Sequence, residues 1–400
     1  MFGWCDKCKV ITIDGWCSDH GETRPVKSIN KVDVCPLPEF KKEYINNRTS
    51  NLTLGDGIFL VYGDRLRRNI TVALDEPLLE IKVKKEKVDI KELKKGYFNG
   101  MDTVSLYNAN SNRLTRLAKI SHSFAKQEIE SSKNAIISFS GGKDSMVLSH
   151  LLSDFNLKNV FIDTGMEFPE TYEFINTLKE KGWDIDIARS KNNFFELCSE
   201  KGYPVRKNRW CCKTQKFEPF NDYIKSQYGE NQVTVFGAER RWESLYRIDE
   251  PFKRQNKNIP NQHSVHIMLD WTAMDVWMYI FNQNLPINKI YDYYDRAGCW
   301  PCPFGLTYRS FLMEMAHPRL HEYLVRVGAT KSLRSYWEGK PMRNLVFNDI
   351  TIMNAVADKL GTLIENFEVH SQRKIISIPA QTSKIKIESL VKDIKSEVAL

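Results

Sequence analysis

Three groups of residues in this 400-residue chain have the types and spacing to do chemistry. Cys5-x-x-Cys8 is followed by Cys17-x-x-His20. Two knuckles that each present two ligands from one tight turn supply the tetrahedral N/S set zinc prefers, and Val10 to Trp16, with Gly15 as a turn residue, is the hairpin that brings them together. Cys35 is the alternative fourth ligand. So small a segment has little core of its own, so the metal would stabilise it directly. The second group is Cys211-Cys212 with Cys299-x-x-Cys302, two half-sites that can meet only in a folded domain. Four thiolates suit either zinc or a [4Fe–4S] cluster, and spacing leaves that choice open. Nine cysteines, an odd number, argue against a disulfide framework. Cys35 and Cys198 are otherwise read as buried, inert thiols.

The third group is the run Ser138-Phe139-Ser140-Gly141-Gly142-Lys143-Asp144-Ser145. It follows the apolar stretch Ala135 to Ile137 and opens a helix with apolar Met146, Val147, Leu148, Leu151 and Leu152. Strand, glycine turn and helix start together form an anion cradle. Main-chain N–H groups approach the phosphate, the helix start adds partial positive charge and Lys143 a full one. Ser138, Ser140 and Ser145 add hydroxyl donors. The run is not a Walker A loop, because Ile137 and Asp144 stand where that motif needs Gly and Ser or Thr.

The elements that must position these groups can be read coarsely. Residues 1–30 form the metal ribbon. Residues 36–118 offer short β-like runs (Gly57–Tyr62, Ile70–Leu74, Leu79–Val83) separated by Gly and Asp turns, a small β-rich domain suited to delivering RNA. A helical linker follows over about 112–130, with Leu114, Leu117, Ile120 and Phe124 at helical spacing. From 130 to 310 apolar strands (Ala135–Phe139, Val160–Ile162, Ile185–Ala188, Val233–Phe236) alternate with helical segments, which implies parallel strands with crossover helices. Residues 311–400 read as a helical C-terminal region, including Leu306–Val327 and Ile350–Leu360, with a weakly anchored end.

Composition excludes wholesale disorder: 42% of residues are hydrophobic and 27% charged. No window approaches the ~18 apolar residues of a membrane span. The first residues lack a basic stretch leading into an apolar one, so a cytoplasmic chain is expected. The net charge of +8 is compatible with a polyanionic partner without demanding one.

The motifs taken in order resemble a known family. Ser140 to Ser145, SGGKDS, is similar to the PP-loop of the adenine-nucleotide α-hydrolase superfamily. Downstream, Asp163-Thr164-Gly165-Met166-Glu167-Phe168-Pro169-Glu170-Thr171 resembles the DTG-x-x-FPET segment of its phosphoadenosine phosphosulfate (PAPS) reductase branch. Arg209-Trp210-Cys211-Cys212-Lys213 is like that branch's CC-x-x-K region, and Glu239-Arg240-Arg241-Trp242-Glu243-Ser244 with Arg247 like its anion-binding RRxES…R segment. Trp271 to Trp277, Asn284-Leu285-Pro286 and Gly298 to Cys302 complete the pattern over about 130–310. The ribbon and β domain resemble archaeal members. The resemblance implies a five-stranded parallel sheet with flanking helices, a nucleotide at the strand carboxyl ends, and a [4Fe–4S] cluster on Cys211, Cys212, Cys299 and Cys302.

Two departures shape the functional reading. Ala238 stands where the family has Gly, and no cysteine follows Cys302, whereas the branch's reductases attack sulfur with a cysteine in a C-terminal tail. The phosphate loop, by contrast, is the complete form that suits ATP with Mg²⁺. The first reading is therefore ATP-dependent adenylation and sulfur transfer. Lys143, Asp144, Asp163, Arg240, Arg241 and Arg247 serve the reaction, and Ser138 to Ser145, Asp163 and Glu243 hold the cofactor. The acceptor would be tRNA or another nucleic acid, with a separate sulfur or electron donor and an oligomer in view. The alternatives are reduction of PAPS or adenosine phosphosulfate with release of sulfite, in which Cys198 would replace the tail cysteine, and a non-catalytic nucleotide-dependent component of a modification complex.

Overall fold

The structure, a computed structural model, describes residues 2–26, 29, 34–63, 69–84, 87–201, 204, 208–244, 247–303, 307–321, 342–360, 368–370, 375–379 and 384–398. The chain divides into two compact units, one of Met1–Glu200 with Pro204–Leu312 and one of Lys201–Tyr203 with Met313–Leu400.

In the first unit the ribbon opens with an antiparallel hairpin, Gly3–Cys5 against Val10–Thr12. Its tight CDKC turn puts Lys9 at φ 58, and Gly15 and Gly21 take positive φ where the second knuckle turns. Five antiparallel strands follow in the order Lys87–Glu92, Pro77–Lys84, Asn69–Ala73, Leu60–Gly63 and Cys35–Pro36. Alternation of apolar Ile70, Val72 and Leu79, Ile81 turns one face inward. The helix read over 112–130 starts nine residues earlier. This helix α1, Thr103–Glu130, is capped by Asp102, whose carboxylate accepts from Ser105 N–H at 2.8 Å. It begins inside the stretch read as β-rich to 118, because Leu106, Ala109 and Asn110, at helical spacing, bury one helix face against the ribbon and the adjoining strands. Asn110 closes that contact, donating to Ile11 O at 2.9 Å and accepting from Ile13 N–H at 3.0 Å.

The central sheet contains β1 (Ala135–Phe139), β2 (Lys158–Asp163), β3 (Ile185–Arg189), β4 (Val233–Phe236), β5 (Lys253–Gln255) and β6 (Gln262–Val265). Their order is β3-β2-β1-β4-β6-β5. The five parallel strands expected are present, and β5 adds a sixth, antiparallel to β6. Its polar Lys253-Arg254-Gln255 carries no strand signal, being an edge that only β6 covers. β4 is buried at all four positions, as a central parallel strand should be. Helices α2 (Lys143–Leu151), α3 (Pro169–Glu180), α4 (Glu218–Tyr228) and α5 (Ala273–Asn282) flank the sheet. The strand order reverses at β1, and in open α/β sheets ligands bind outside the carboxyl ends at such a switch point.

One apolar core runs through ribbon, β strands and nucleotide-type domain. Trp4, Cys5, Ile11 and Cys17 pack in one cluster with Leu60, Met101, Leu106 and with Met274 and Met278 of α5. A buried ion pair crosses the same seam: Arg113 of α1 meets Asp275, which is fully buried, through Nε at 2.8 Å and also reaches Asp14 of the ribbon at 2.6 Å. Arg113→Met strands the Asp275 charge, which keeps its capping bonds from Thr272 N–H and hydroxyl. A loss of about 2–3 kcal/mol in chemical denaturation is expected.

The second unit holds the expected helix Ile350–Leu360, and the end expected to be weakly anchored forms a further helix, Lys384–Val398. It also holds an antiparallel sheet that the reading did not include, ordered Met342–Val346, Ile375–Pro379, Glu368–His370. Ile376 and Ile378, fully buried and two apart, are the strand signal within this Lys-, Ser- and Ile-rich stretch. The helix read over 306–327 is described at Thr307–Ala316, and its residues 306 and 322–327 lie outside the described residues. Among the described residues no helix is long and apolar enough to cross a membrane.

Candidate active site

The phosphate loop is the turn between β1 and α2. Gly141 takes φ +67, a conformation other residues rarely adopt, and Gly142 caps α2. A Cβ on Gly142 would stand 3.2 Å from both Ser140 Oγ and Tyr291 Oη. The loop is knitted by its own hydroxyls: Ser145 Oγ donates to Gly142 O at 3.0 Å, accepts from Ser140 N–H at 3.2 Å and lies 3.1 Å from Ser140 Oγ. Ser138 belongs to β1 itself. From outside, Asn288 donates to Gly141 O at 3.1 Å, and Tyr291 Oη accepts from Lys143 N–H at 2.8 Å.

The loop's charges are paired. Asp144 lies between Lys143 Nζ at 2.5 Å and Arg240 Nε at 2.6 Å, with the lysine and arginine side chains 5% and 2% exposed. Burial alone would raise its pKa, but the adjacent Arg240 and Lys143 charges hold the carboxyl well below the usual range. Arg240 reaches Glu243 at 3.7 Å, and Glu243 binds Arg247, which lies 3.8 Å from Glu239. Glu239 meets Arg254 at 3.5 Å, and Arg254 binds Glu250. An alternating row therefore leads from the phosphate loop to the far sheet edge. Arg240, Glu243 and Arg247 are brought together as expected. Arg241 is not: it pins the following loop, pairing with Asp270 at 3.0 Å, donating to the Ile248 carbonyl at 2.9 Å and lying over the Phe252 ring.

Asp163 ends β2, 4% exposed, and accepts from Gly165 N–H at 2.9 Å, Tyr172 hydroxyl at 2.9 Å and Arg189 Nε at 2.7 Å. Beyond it, Glu167 is buried and accepts from the Thr164 hydroxyl at 2.9 Å. Cys299 Sγ lies 3.5 Å from Glu167 Oε1, and Trp300 N–H donates to Met166 O at 2.9 Å, so the CxxC half-site sits directly against this segment.

The other half-site faces it. The Cys211 thiol donates to Cys212, which raises Cys211 together with burial and the nearby Cys212, Cys299 and Cys302 charges. The same bond lowers Cys212 to about 6 against its burial, helped by Lys216 and Arg209. Burial and Glu167 push Cys299 up to about 12. Lys216 is the residue sequence reading missed: Cys299, then Glu167, Cys212 and Cys302 hold its ammonium charged against burial. Among the described residues no three of these thiols come as close as the N-terminal set. Cys198 stands apart, raised to about 12 by burial alone.

That N-terminal set is drawn tight. The ligand atoms of Cys5, Cys8, Cys17 and His20 all lie within 4.8 Å of one another. Cys8 and Cys17 sulfurs are 3.8 Å apart, and His20 Nδ1 is 3.6, 3.2 and 3.6 Å from Cys5, Cys8 and Cys17. Bonds of about 2.3 Å to sulfur and 2.0–2.1 Å to nitrogen, at tetrahedral angles, require edges of about 3.8 and 3.6 Å. The four residues fit a zinc ion. Cys35 is elsewhere, paired in a strand with Val61.

Comparison with known proteins places this geometry. Residues 134–304 match the family model described as phosphoadenosine phosphosulfate reductase domain. The chain is 34% identical over 247 residues to an uncharacterized protein of Methanocaldococcus jannaschii, an alignment covering 58% of this chain and 59% of that relative. It is 31% identical over 175 residues to adenosine 5'-phosphosulfate reductase 2 of Bacillus subtilis, covering 40% of this chain and 69% of the relative. A crystal structure of PAPS reductase from Candida auris, a phosphate complex, superposes with a TM-score of 0.39 at 18% identity over 48% of this chain and 97% of that one. With its glycine turn, its strand-end acid and its facing cysteine half-sites in that family's order, the chain belongs to the phosphoadenosine phosphosulfate reductase family of PP-loop enzymes.

Proposed function

We propose that the protein is an ATP-dependent, adenylating sulfur transferase that uses MgATP at the phosphate loop and acts on an acceptor such as tRNA. The observation that carries this reading is the ionised Asp144 between Lys143 and Arg240. A carboxylate in the middle of an anion cradle repels a bare phosphate or sulfate. A nucleotide that arrives with its own divalent cation turns the same group into an asset: the metal takes the carboxylate, and the two cations are freed for phosphate oxygens. An oxygen of the acceptor then attacks the α-phosphorus, the bond to pyrophosphate breaks, and a sulfur nucleophile displaces AMP from the activated carbon. The protein's share is to hold the triphosphate, neutralise developing charge and orient the acceptor.

Cys211, Cys212, Cys299 and Cys302 are the residues to hold a [4Fe–4S] cluster, which when bound supplies iron to carry sulfur or electrons. Their chemistry supports this: four sulfur donors with the half-buried Lys216 ammonium held charged beside them. Cys5, Cys8, Cys17 and His20 hold zinc. Trp16 and Tyr97, 58% and 63% exposed on the N-terminal strands, are stacking surfaces for a nucleic-acid acceptor.

Anaerobically purified protein incubated with MgATP, sulfide and tRNA is expected to release pyrophosphate and AMP together. ATP left intact with every acceptor offered sinks the reading. The Bacillus subtilis relative's name favours one alternative, sulfonucleotide reduction. Release of sulfite from labelled PAPS or adenosine phosphosulfate would select it. Cys198 is a poor candidate for its nucleophile, since burial disfavours the thiolate.

A further inference from the structure

The segment from Asn288 to Trp300 touches both the phosphate loop and the Met166–Thr171 segment and carries the Cys299 thiol. Asn288 holds Gly141 and, at 3.1 Å, Thr171; Tyr291 holds Lys143 N–H; and Ala297 lies 3.7 Å from where a Gly142 Cβ would stand. Tyr294 packs on Phe168, ring centroids 5.1 Å apart, and Trp300 bonds Met166. Its middle is gripped by a helix from outside the residues that match the family model, Glu39–Asn46. There Lys41 Nζ lies 3.1 Å from Asp295 Oδ1, and the Phe40 ring 5.5 Å from that of Tyr293.

Lys41 is 2% exposed. Lysines are almost never so buried unless paired, because an unpaired ammonium away from water is costly. A buried lysine stem restricts where its charge can sit, and that charge meets Asp295. Asp295 is next to Arg296, whose charge is felt at Arg247, and four residues before Cys299.

We propose that Lys41 is a positioning residue: through Asp295 it sets the Asn288–Trp300 segment against both phosphate loop and thiols, making the N-terminal module a working part of the nucleotide site. The choice of nucleotide in its test rests on the reading above.

The test uses the full-length protein, purified anaerobically, with MgATP binding followed by calorimetry and iron and zinc measured on the same samples. Lys41→Met is expected to weaken MgATP by about tenfold or more and to lower iron content while zinc stays unchanged. Asp295→Asn should do the same in smaller measure, and Lys41→Arg, which keeps the charge, should recover to within about threefold. Lys42→Met is the control: equally part of this helix and 9% exposed, Lys42 pairs with Glu39 at 2.8 Å and should leave both readouts alone. Wild-type affinity and iron in Lys41→Met overturn the proposal. So does a lowered melting temperature in Lys41→Met and Asp295→Asn with affinity unchanged, or failure of both to fold, since the pair is then a general prop. If the wild type itself does not bind MgATP, the nucleotide reading falls, and iron content with PAPS titration still decides the role of Lys41.

Discussion

Lys143→Ala is expected to lower kcat/KM for ATP-dependent pyrophosphate release by about 10²–10³-fold, the usual effect of removing one preorganised charge from developing negative charge. The fold should survive it. Asp144 keeps Arg240 at 2.6 Å, so no carboxylate is stranded, and the loop's hydroxyl bonds and the Tyr291 contact to the main-chain N–H do not involve the lysine side chain. The main-chain amides of the glycine turn remain, which leaves weak nucleotide binding as residual function. Steady-state pyrophosphate release beside a thermal melt separates the two effects. Unchanged turnover in a folded variant would remove the phosphate loop from the chemistry and leave only a binding role.

Stripping the proposed zinc, or Cys8→Ser, is expected to lower the melting temperature of the first unit by about 10 °C or more, read by calorimetry with zinc content in parallel. A structural zinc contributes about 10–16 kcal/mol in small finger peptides; half of that, discounted for the core already present, is ample for such a shift. The effect should reach the nucleotide site, because the ligands Cys5 and Cys17 sit in the same apolar cluster as Met274 and Met278 of α5. MgATP binding should therefore weaken with the metal gone. A zinc-free protein that melts unchanged would show that the ribbon stands on its side chains alone.

What was legible in the sequence was whatever is local. The ribbon knuckles, the strand–glycine–helix run at Ser138 to Ser145 and the burial of β4 each follow from neighbouring residues, and the structure bears them out. What was not legible depends on partners far along the chain. That Arg240 would meet Asp144 and Arg241 would instead turn to Asp270 is decided by loop geometry, since two adjacent arginines look alike in sequence. Lys216, rather than the adjacent Lys213, faces the thiols; a five-residue π-type stretch, Lys213–Phe217, changes the helical phase just after Cys212. Lys41 lay in an unremarkable polar helix until Asp295 was placed beside it. The C-terminal sheet rests on short strands set apart in sequence.

The row of side chains leading away from the phosphate loop alternates Lys143, Asp144, Arg240, Glu243, Arg247, Glu239, Arg254 and Glu250, four cations and four anions. Opposite charges in such close succession largely cancel within the row, so its eight side chains add little field beyond a Debye length. Capture must come from contact, by a visitor able to trade places with an internal counter-ion. On the proposed reading, a row so balanced favours the ligand that brings its own compensation over a bare phosphate or sulfate.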